Sequence, residues 1–139
     1  MNSTVEKYIQ ANAFGRLLGM DFTILSPGNI EYRLKMKKEF LATETIVHGG
    51  LIAAFTDGVL GVAALSAVCD ENKRVATIEF KLNFMKPVFV DDELKGIGKV
   101  LQKGNRLVIT ECEIYNQKNE LISKASGTFT SYPVEGLKF

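Results

Sequence analysis

The chain is poor in residues that bind metals or form disulfides. It has one histidine, His48, and two cysteines, Cys69 and Cys112. No Cys–His spacing suits zinc, so no metal site is expected. Two cysteines make no disulfide framework; both lie in apolar patterns and read as free, buried thiols in a reducing cytosol. Neither sign of charge is in excess: 17 Lys and Arg against 16 Asp and Glu leave a formal net charge of +1. Nothing there points to nucleic acid or to an acidic membrane face as partner. No basic stretch followed by an apolar run opens the sequence, so no secretory leader is expected. Internal repeats, low-complexity tracts and interdomain linkers are also missing. The 139 residues read as a single domain, 1–139, long enough for a core of its own.

One long apolar run is present. It reads HGGLIAAFTDGVLGVAALSAVC, from His48 to Cys69. By length, Leu51 to Cys69 nearly suffices to span a bilayer. Three features argue against that. Asp57 would cost roughly 2.5–3.5 kcal/mol in hydrocarbon, Gly58 and Gly61 weaken the apolar character, and no aromatic or Lys/Arg belt flanks the run. A helix apolar on every side is equally the buried axis of a soluble fold. The run is read as that helix, from about Gly50 to about Val68.

The rest of the chain is mostly extended. Ser3-Thr4-Val5-Glu6 fits a capping box with Ser3 as N-cap. Val5, Tyr8 and Ile9 share a face of the short helix that follows, and Phe14, Leu17 and Leu18 continue the apolar contact to a stop at Gly19. Pro27-Gly28-Asn29 marks a turn. Ile30, Tyr32, Leu34 and Met36 then alternate with charged residues, as in a strand with one face in water. After the helix, Asp70 to Lys73 is a polar break. Four more extended segments follow: Ile78 to Phe84, Leu94 to Leu101, Leu107 to Tyr115 and Leu121 to Tyr132. Short turns between them imply antiparallel pairing. The fold class is α+β, a curved antiparallel sheet wrapped around one long helix. Such a sheet leaves edges to cover, which joining two subunits edge to edge would do.

The chemistry centres on the apolar run. Glycine lets backbone approach a ligand closely, and a helix start offers unpaired N–H groups to negative charge. The N–H of Gly50 or Leu51 could therefore donate to a thioester or ester oxygen. On their own, Gly49 and Gly50 read as a tight strand-to-helix turn. Asp57 is the one charge in the run, and an ionised carboxylate is costly to bury unless paired or used. It lies about 10 Å along the axis from Gly50, too far for attack on a carbonyl held by its own chain. A carboxylate from a second, antiparallel subunit would reach it as nucleophile or general base. The plainer alternative is an Asp hydrogen-bonded across an interface. With the glycine turn beside it, catalysis is the better account. His48 reads first as a donor or cap shaping the turn. Thr77 could hold a water, though it equally suits a strand. Lys86, Lys103 and Arg106 could meet the phosphates of a carrier such as coenzyme A, and are also ordinary surface charge.

These residues resemble a hotdog-fold acyl-CoA thioesterase of the phenylacetate-pathway type, over nearly the whole length. The resemblance rests on Leu18-Gly19-Met20 with Pro27-Gly28, on His48-Gly49-Gly50, on Asp57-Gly58 with Gly61 and Ala63, and on Phe84-Met85-Lys86-Pro87. It implies a hotdog fold, homodimers pairing into homotetramers, and active sites at the dimer interface. It implies that the Gly50 N–H polarises the thioester carbonyl, that Asp57 of the facing subunit is base or nucleophile, and that Thr77 supports the water. His48 would shape the turn and contact the sulfur, with Gly49, Leu51, Lys86 and Arg106 around the substrate. No cofactor is implied. One position departs: the family commonly has Asn or Gln about six residues before the histidine, and here Ala42 stands there, so Thr43 or Glu44 must substitute or the water is held less well.

The expectation is a cytoplasmic hydrolase that releases coenzyme A and a carboxylic acid. An acyl-CoA-binding protein without turnover is the alternative favoured by Ala42; it would release no thiol. A dehydratase fits less well, since its histidine pairs with an acidic partner rather than a glycine turn. The acyl group, and whether the carrier is coenzyme A or a carrier protein, are not legible.

Overall fold

A computed structural model describes residues 1–135. The chain begins with two short helices, α1 (Ser3–Ala11) and α2 (Ala13–Leu18), and a hairpin of β1 (Asp21–Ser26) and β2 (Asn29–Lys35). The long helix α3 (Gly49–Val68) follows, then β3 (Lys73–Phe84), β4 (Glu93–Lys103), β5 (Leu107–Tyr115) and β6 (Leu121–Pro133). The six strands form one antiparallel sheet in the order β1-β2-β4-β5-β6-β3. Its edges are β1 and β3.

Helix α3 lies in the concave face, which explains a sequence apolar on every side. Phe55, Val59, Leu60, Ala63 and Ala64 are fully buried, and the inward residues Ile30, Tyr32, Leu34 and Met36 pack into the same core, as their alternation predicts. Each large apolar side chain so buried contributes about 1.5–3 kcal/mol. The helix comes very close to the sheet at β4. A Cβ at Gly98 would sit 2.9 Å from the Val59 carbonyl oxygen, and one at Gly96 would sit 2.5 Å from Val59 Cγ2. The glycines that break the β4 pattern are the price of that approach.

Two local expectations are corrected. Ser3 is not the N-cap of α1; Asn2 is, its Oδ1 accepting the Thr4 N–H at 2.8 Å. Asn2 wins because its Nδ2 also donates to the Cys69 carbonyl and to Asp70 Oδ1 at the far end of α3. The apolar face also does not run unbroken to Gly19. The helix divides at Asn12, and Phe14 and Leu17 are exposed while Leu18 is buried. Gly19 does end the segment, at φ 86°.

Strand β3 departs from simple alternation. Its pairing with β6 runs Thr77↔Phe129 and then Glu79↔Thr128, so Ile78 is an extra residue in a bulge. A bulge reverses which face each residue takes. Phe80 and Leu82 therefore pack inward, Ile78 is thrown out, and Thr77 faces α3 instead of sharing the outer face with Glu79.

Candidate active site

The diglycine corner is the start of α3. His48 is the N-cap, in extended backbone at φ −61° and ψ 131°, and its Nδ1 accepts the Gly50 N–H at 2.7 Å. The Leu51 N–H turns back to the His48 carbonyl at 3.0 Å. Both amides expected to face a substrate are thus engaged within the turn. The physical reason is the N-cap rule: a capping side chain takes the second or third N–H of the helix. The first N–H, that of Gly49, has no hydrogen-bond partner among the described residues. Gly49 is exposed at this corner, where the helix dipole favours negative charge. His48 does shape the turn, as an acceptor, which leaves Nε2 to carry the ring proton of the neutral imidazole.

Beside the corner is a cavity of about 360 Å³, lined by Gly49, Ile46, Ile52, Phe84, Met85 and Lys86 among others. Its apolar residues Ile46, Phe84 and Met85 are exposed. Lys86 is held by Glu120, Nζ to Oε2 at 2.7 Å; that contact and a bond from Asn116 keep the Glu120 carboxyl below its ordinary range. Arg106 is remote from the corner, in the β4–β5 turn, where its carbonyl accepts the Ser131 N–H. Ala42 sits on the loop before the corner. Its neighbour Thr43 already accepts the N–H groups of Thr45 and Ile46 through Oγ1, and Glu44 has no bond among the described residues.

Asp57 is half-buried on α3, two turns further on, and Oδ1 accepts a hydrogen bond from Thr77 Oγ1 at 2.7 Å. Thr77 was expected to support a water; the structure places its hydroxyl on the carboxylate. That leaves Oδ2 as the oxygen without a partner among the described residues. Asp57 opens onto a second cavity, of about 290 Å³, which shares no lining residue with the one at Gly49. It runs along α3 past Gly58 and Gly61 to Leu65 and is closed by Tyr8 of α1 and Phe129 of β6.

Two residues that line this second cavity, Tyr8 and Arg74, and one bonded to Tyr8, Asn12, were not picked out as functional from the sequence. Tyr8 lines it, and its phenol is pushed up by burial and then by the negative charge of Asp57. Asn12 donates to the Tyr8 oxygen at 3.2 Å. Arg74 lines the cavity too, with a buried Nε that has no partner among the described residues. Nothing local marks these positions; they meet Asp57 only through the packing of α1 and β3 on α3. The two thiols lie elsewhere: Cys69 and Cys112 are free and buried, and burial, with help from Glu111 and Glu113, pushes the Cys112 thiol up to about 12.

Comparison with known proteins gives consistent matches. The thioesterase superfamily matches residues 44–123, which span the loop before the corner, α3 and the strands through the start of β6. A protein of Saccharolobus solfataricus that carries a provisional esterase name is 31% identical over 128 residues, covering 89% of this chain and 86% of its own. The human acyl-coenzyme A thioesterase 13 is 24% identical over 120 residues, covering 84% and 83%. The solved structure of the E. coli PaaI protein, from the phenylacetic acid degradation operon, superposes with a TM-score of 0.85 at 19% identity, covering 92% and 90%.

Proposed function

Because the chain belongs to the thioesterase superfamily and adopts the hotdog fold, we propose that it hydrolyses acyl-CoA thioesters to a carboxylic acid and coenzyme A. Asp57 acts as general base on water or as nucleophile, and an amide at the diglycine corner polarises the carbonyl. The open donor there is the Gly49 N–H, since His48 holds that of Gly50. One such donor is worth about 2.7–4 kcal/mol in the transition state. Thr77 fixes the carboxylate through Oδ1 and leaves Oδ2 for the reaction.

The observation that carries this reading is the Asp57–Thr77 pair facing a cavity. A buried structural Asp would be closed off with its bonds satisfied. Within one chain the two halves stand apart, since Gly49 and Asp57 are separated by about 12 Å of helix. The site is therefore built from two copies, the corner of one protomer meeting Asp57 of its partner. The unpaired edge of β3, 12 residues long with Ile78 and Phe84 exposed, supports that assembly.

The test is thiol release from a panel of short, medium, long and aryl acyl-CoAs. Wild type should turn over at least one class, and Asp57→Asn should lose nearly all turnover while remaining an oligomer by light scattering. Full turnover by Asp57→Asn would refute the mechanism. The engagement of Thr43 in its own turn, next to Ala42, favours a second reading, an acyl-CoA-binding protein without turnover. It would bind the same thioesters tightly and release no thiol.

A further inference from the structure

We propose that the Glu120 carboxylate stands in for a substrate phosphate: it holds Lys86 at the edge of the corner cavity until a phosphate-bearing thioester takes its place. Glu120 thereby sets how tightly the carrier end of the substrate is bound. This rests on the hydrolase reading above and deepens it at the end of the substrate away from the acyl group.

Lys86 stands where two cavities meet. It and Pro87 line both the cavity at Gly49 and a neighbouring one of about 250 Å³, which reaches Asn116, Lys118 and Glu120 in the turn between β5 and β6. With the thioester at the corner, a carrier arm that follows this space passes Lys86. The backbone there is fixed. The N–H groups of Met85 and Lys86 both donate to the Ile122 carbonyl, at 2.8 and 3.2 Å, and Pro87 locks the next φ. Only the Lys86 side chain is free to change partner.

Glu120 is placed without help from Lys86. The Asn116 N–H donates to the Glu120 carbonyl at 3.1 Å, the Glu120 N–H to Asn116 Oδ1 at 3.0 Å, and Asn116 Nδ2 to Glu120 Oε1 at 3.0 Å. Asn116 is itself buried. One carboxylate oxygen, Oε2, is left to face Lys86 Nζ at 2.7 Å. Both partners of that pair are partly exposed, at 51% and 39%, so it is weak. A phosphate brings more charge and more acceptor oxygens than one carboxylate oxygen, and it displaces Glu120 from the ammonium. The displaced carboxylate is not stranded. Asn116 still holds Oε1, and the charge of Lys118 favours its ionised form. The other carboxylate of this cavity, Asp92, takes no part, since its oxygens accept the Phe89 N–H at 2.9 Å and Gln117 Nε2 at 2.8 Å. Lys86 and Lys118 here balance Asp92 and Glu120; neutralising Glu120 leaves the cavity cationic.

The experiment follows KM and kcat for one acyl group on a series of thiols: N-acetylcysteamine, pantetheine, phosphopantetheine, coenzyme A and an acyl carrier protein. Glu120→Gln keeps the acceptor that Asn116 needs and removes the charge. It should lower KM about two- to five-fold for phosphate-bearing thioesters, the fold-change an exposed ion pair supplies. Turnover at saturation should stay the same, and thioesters of N-acetylcysteamine and pantetheine should not respond. Raised salt should erase the gain. On a Lys86→Met background the same substitution should give none, because the two act as one pair. A gain confined to coenzyme A assigns the phosphates of the nucleotide; one shared with phosphopantetheine assigns the phosphate common to coenzyme A and carrier proteins, and the carrier-protein thioester then shows which source is used. A Glu120 that only ties the two turns together would lower the melting temperature when neutralised, with no dependence on the thiol. The proposal is overturned if no phosphate-bearing thioester gains, if phosphate-free ones gain equally, or if the gain survives Lys86→Met. Calorimetry with a non-hydrolysable acyl-CoA thioether separates the two levels. Tighter binding by Glu120→Gln, with no thiol released from any thioester, sinks the hydrolase reading and keeps the exchange. Asp57-dependent turnover with KM unmoved by Glu120→Gln does the reverse.

Discussion

Replacing Gly49 by proline deletes one N–H and almost nothing else. Gly49 is the first residue of α3, where proline's fixed φ suits the helix and the missing N–H breaks no helical bond. The residue before a proline must be extended, and His48 already is, at φ −61° and ψ 131°. A Cβ at Gly49 would lie 3.5 Å from the Phe84 ring, an ordinary contact. Stability should therefore change by no more than about 0.5 kcal/mol. If the Gly49 N–H polarises the thioester, kcat should fall about 100- to 1,000-fold, the loss of one oxyanion donor. Gly49→Ala keeps the N–H at the same steric size and should stay within a few-fold of wild type. The assay is thiol release with a melting curve on each variant. Wild-type kcat in Gly49→Pro, or an equal loss in Gly49→Ala, would refute the assignment. Co-refolding Gly49→Pro with Asp57→Asn, each inactive alone, tests the two-copy site. About half of all dimers would be mixed and each of these would carry one intact pair of two, restoring about a quarter of wild-type activity. No recovery on verified mixed dimers would place both groups in one chain.

Three further outcomes are expected. Thr77→Val removes the hydrogen bond to Asp57 while keeping a β-favouring shape; kcat should drop about ten-fold, because the carboxylate is half-exposed and water replaces part of the lost bond, and Thr77→Ser should recover most of it in steady-state assays. Gly50→Ala places a Cβ 2.8 Å from His48 Nδ1; the imidazole must leave its cap, costing about 1 kcal/mol, or about 3–4 °C in a thermal melt. Gly98→Ala meets backbone, with Val59 O at 2.9 Å, and should destabilise by about 1–3 kcal/mol in denaturant titrations; an unchanged midpoint would show that α3 can lift off β4.

The architecture was readable because α3 and β2 each carry a single dominant period. An apolar run with no polar face has to be a core axis, and Ile30, Tyr32, Leu34 and Met36 can face only one way. What was not readable came from contacts distant in sequence. Ser3 and Asn2 are comparable caps by type, and the choice between them was made by Asn2 reaching Cys69 and Asp70. The unbroken apolar face predicted from Val5 to Leu18 fails at Asn12, where one side chain caps α2 while holding Tyr8. Strand β3 alternates cleanly from Ile78 to Phe84, yet a bulge at Ile78 reverses the face of everything before it.

That bulge decides how much of the site could be seen in advance. Alternation alone puts Thr77 on the outer face with Glu79 and Lys81, away from α3. The extra residue turns it inward onto Asp57, so the hydrogen bond that positions the carboxylate depends on a defect in the pairing of β3 with β6. At the corner the reverse holds, since the answer was available from capping rules. With His48 as N-cap, its ring would take the Gly50 N–H and leave that of Gly49 open. The proposed site has its two halves separated by about 12 Å of helix, which calls for a second copy to bring them together. The same bulged strand that orients Asp57 is one of the two edges of the sheet, so joining two copies along β3 would both extend the sheet and complete the proposed site.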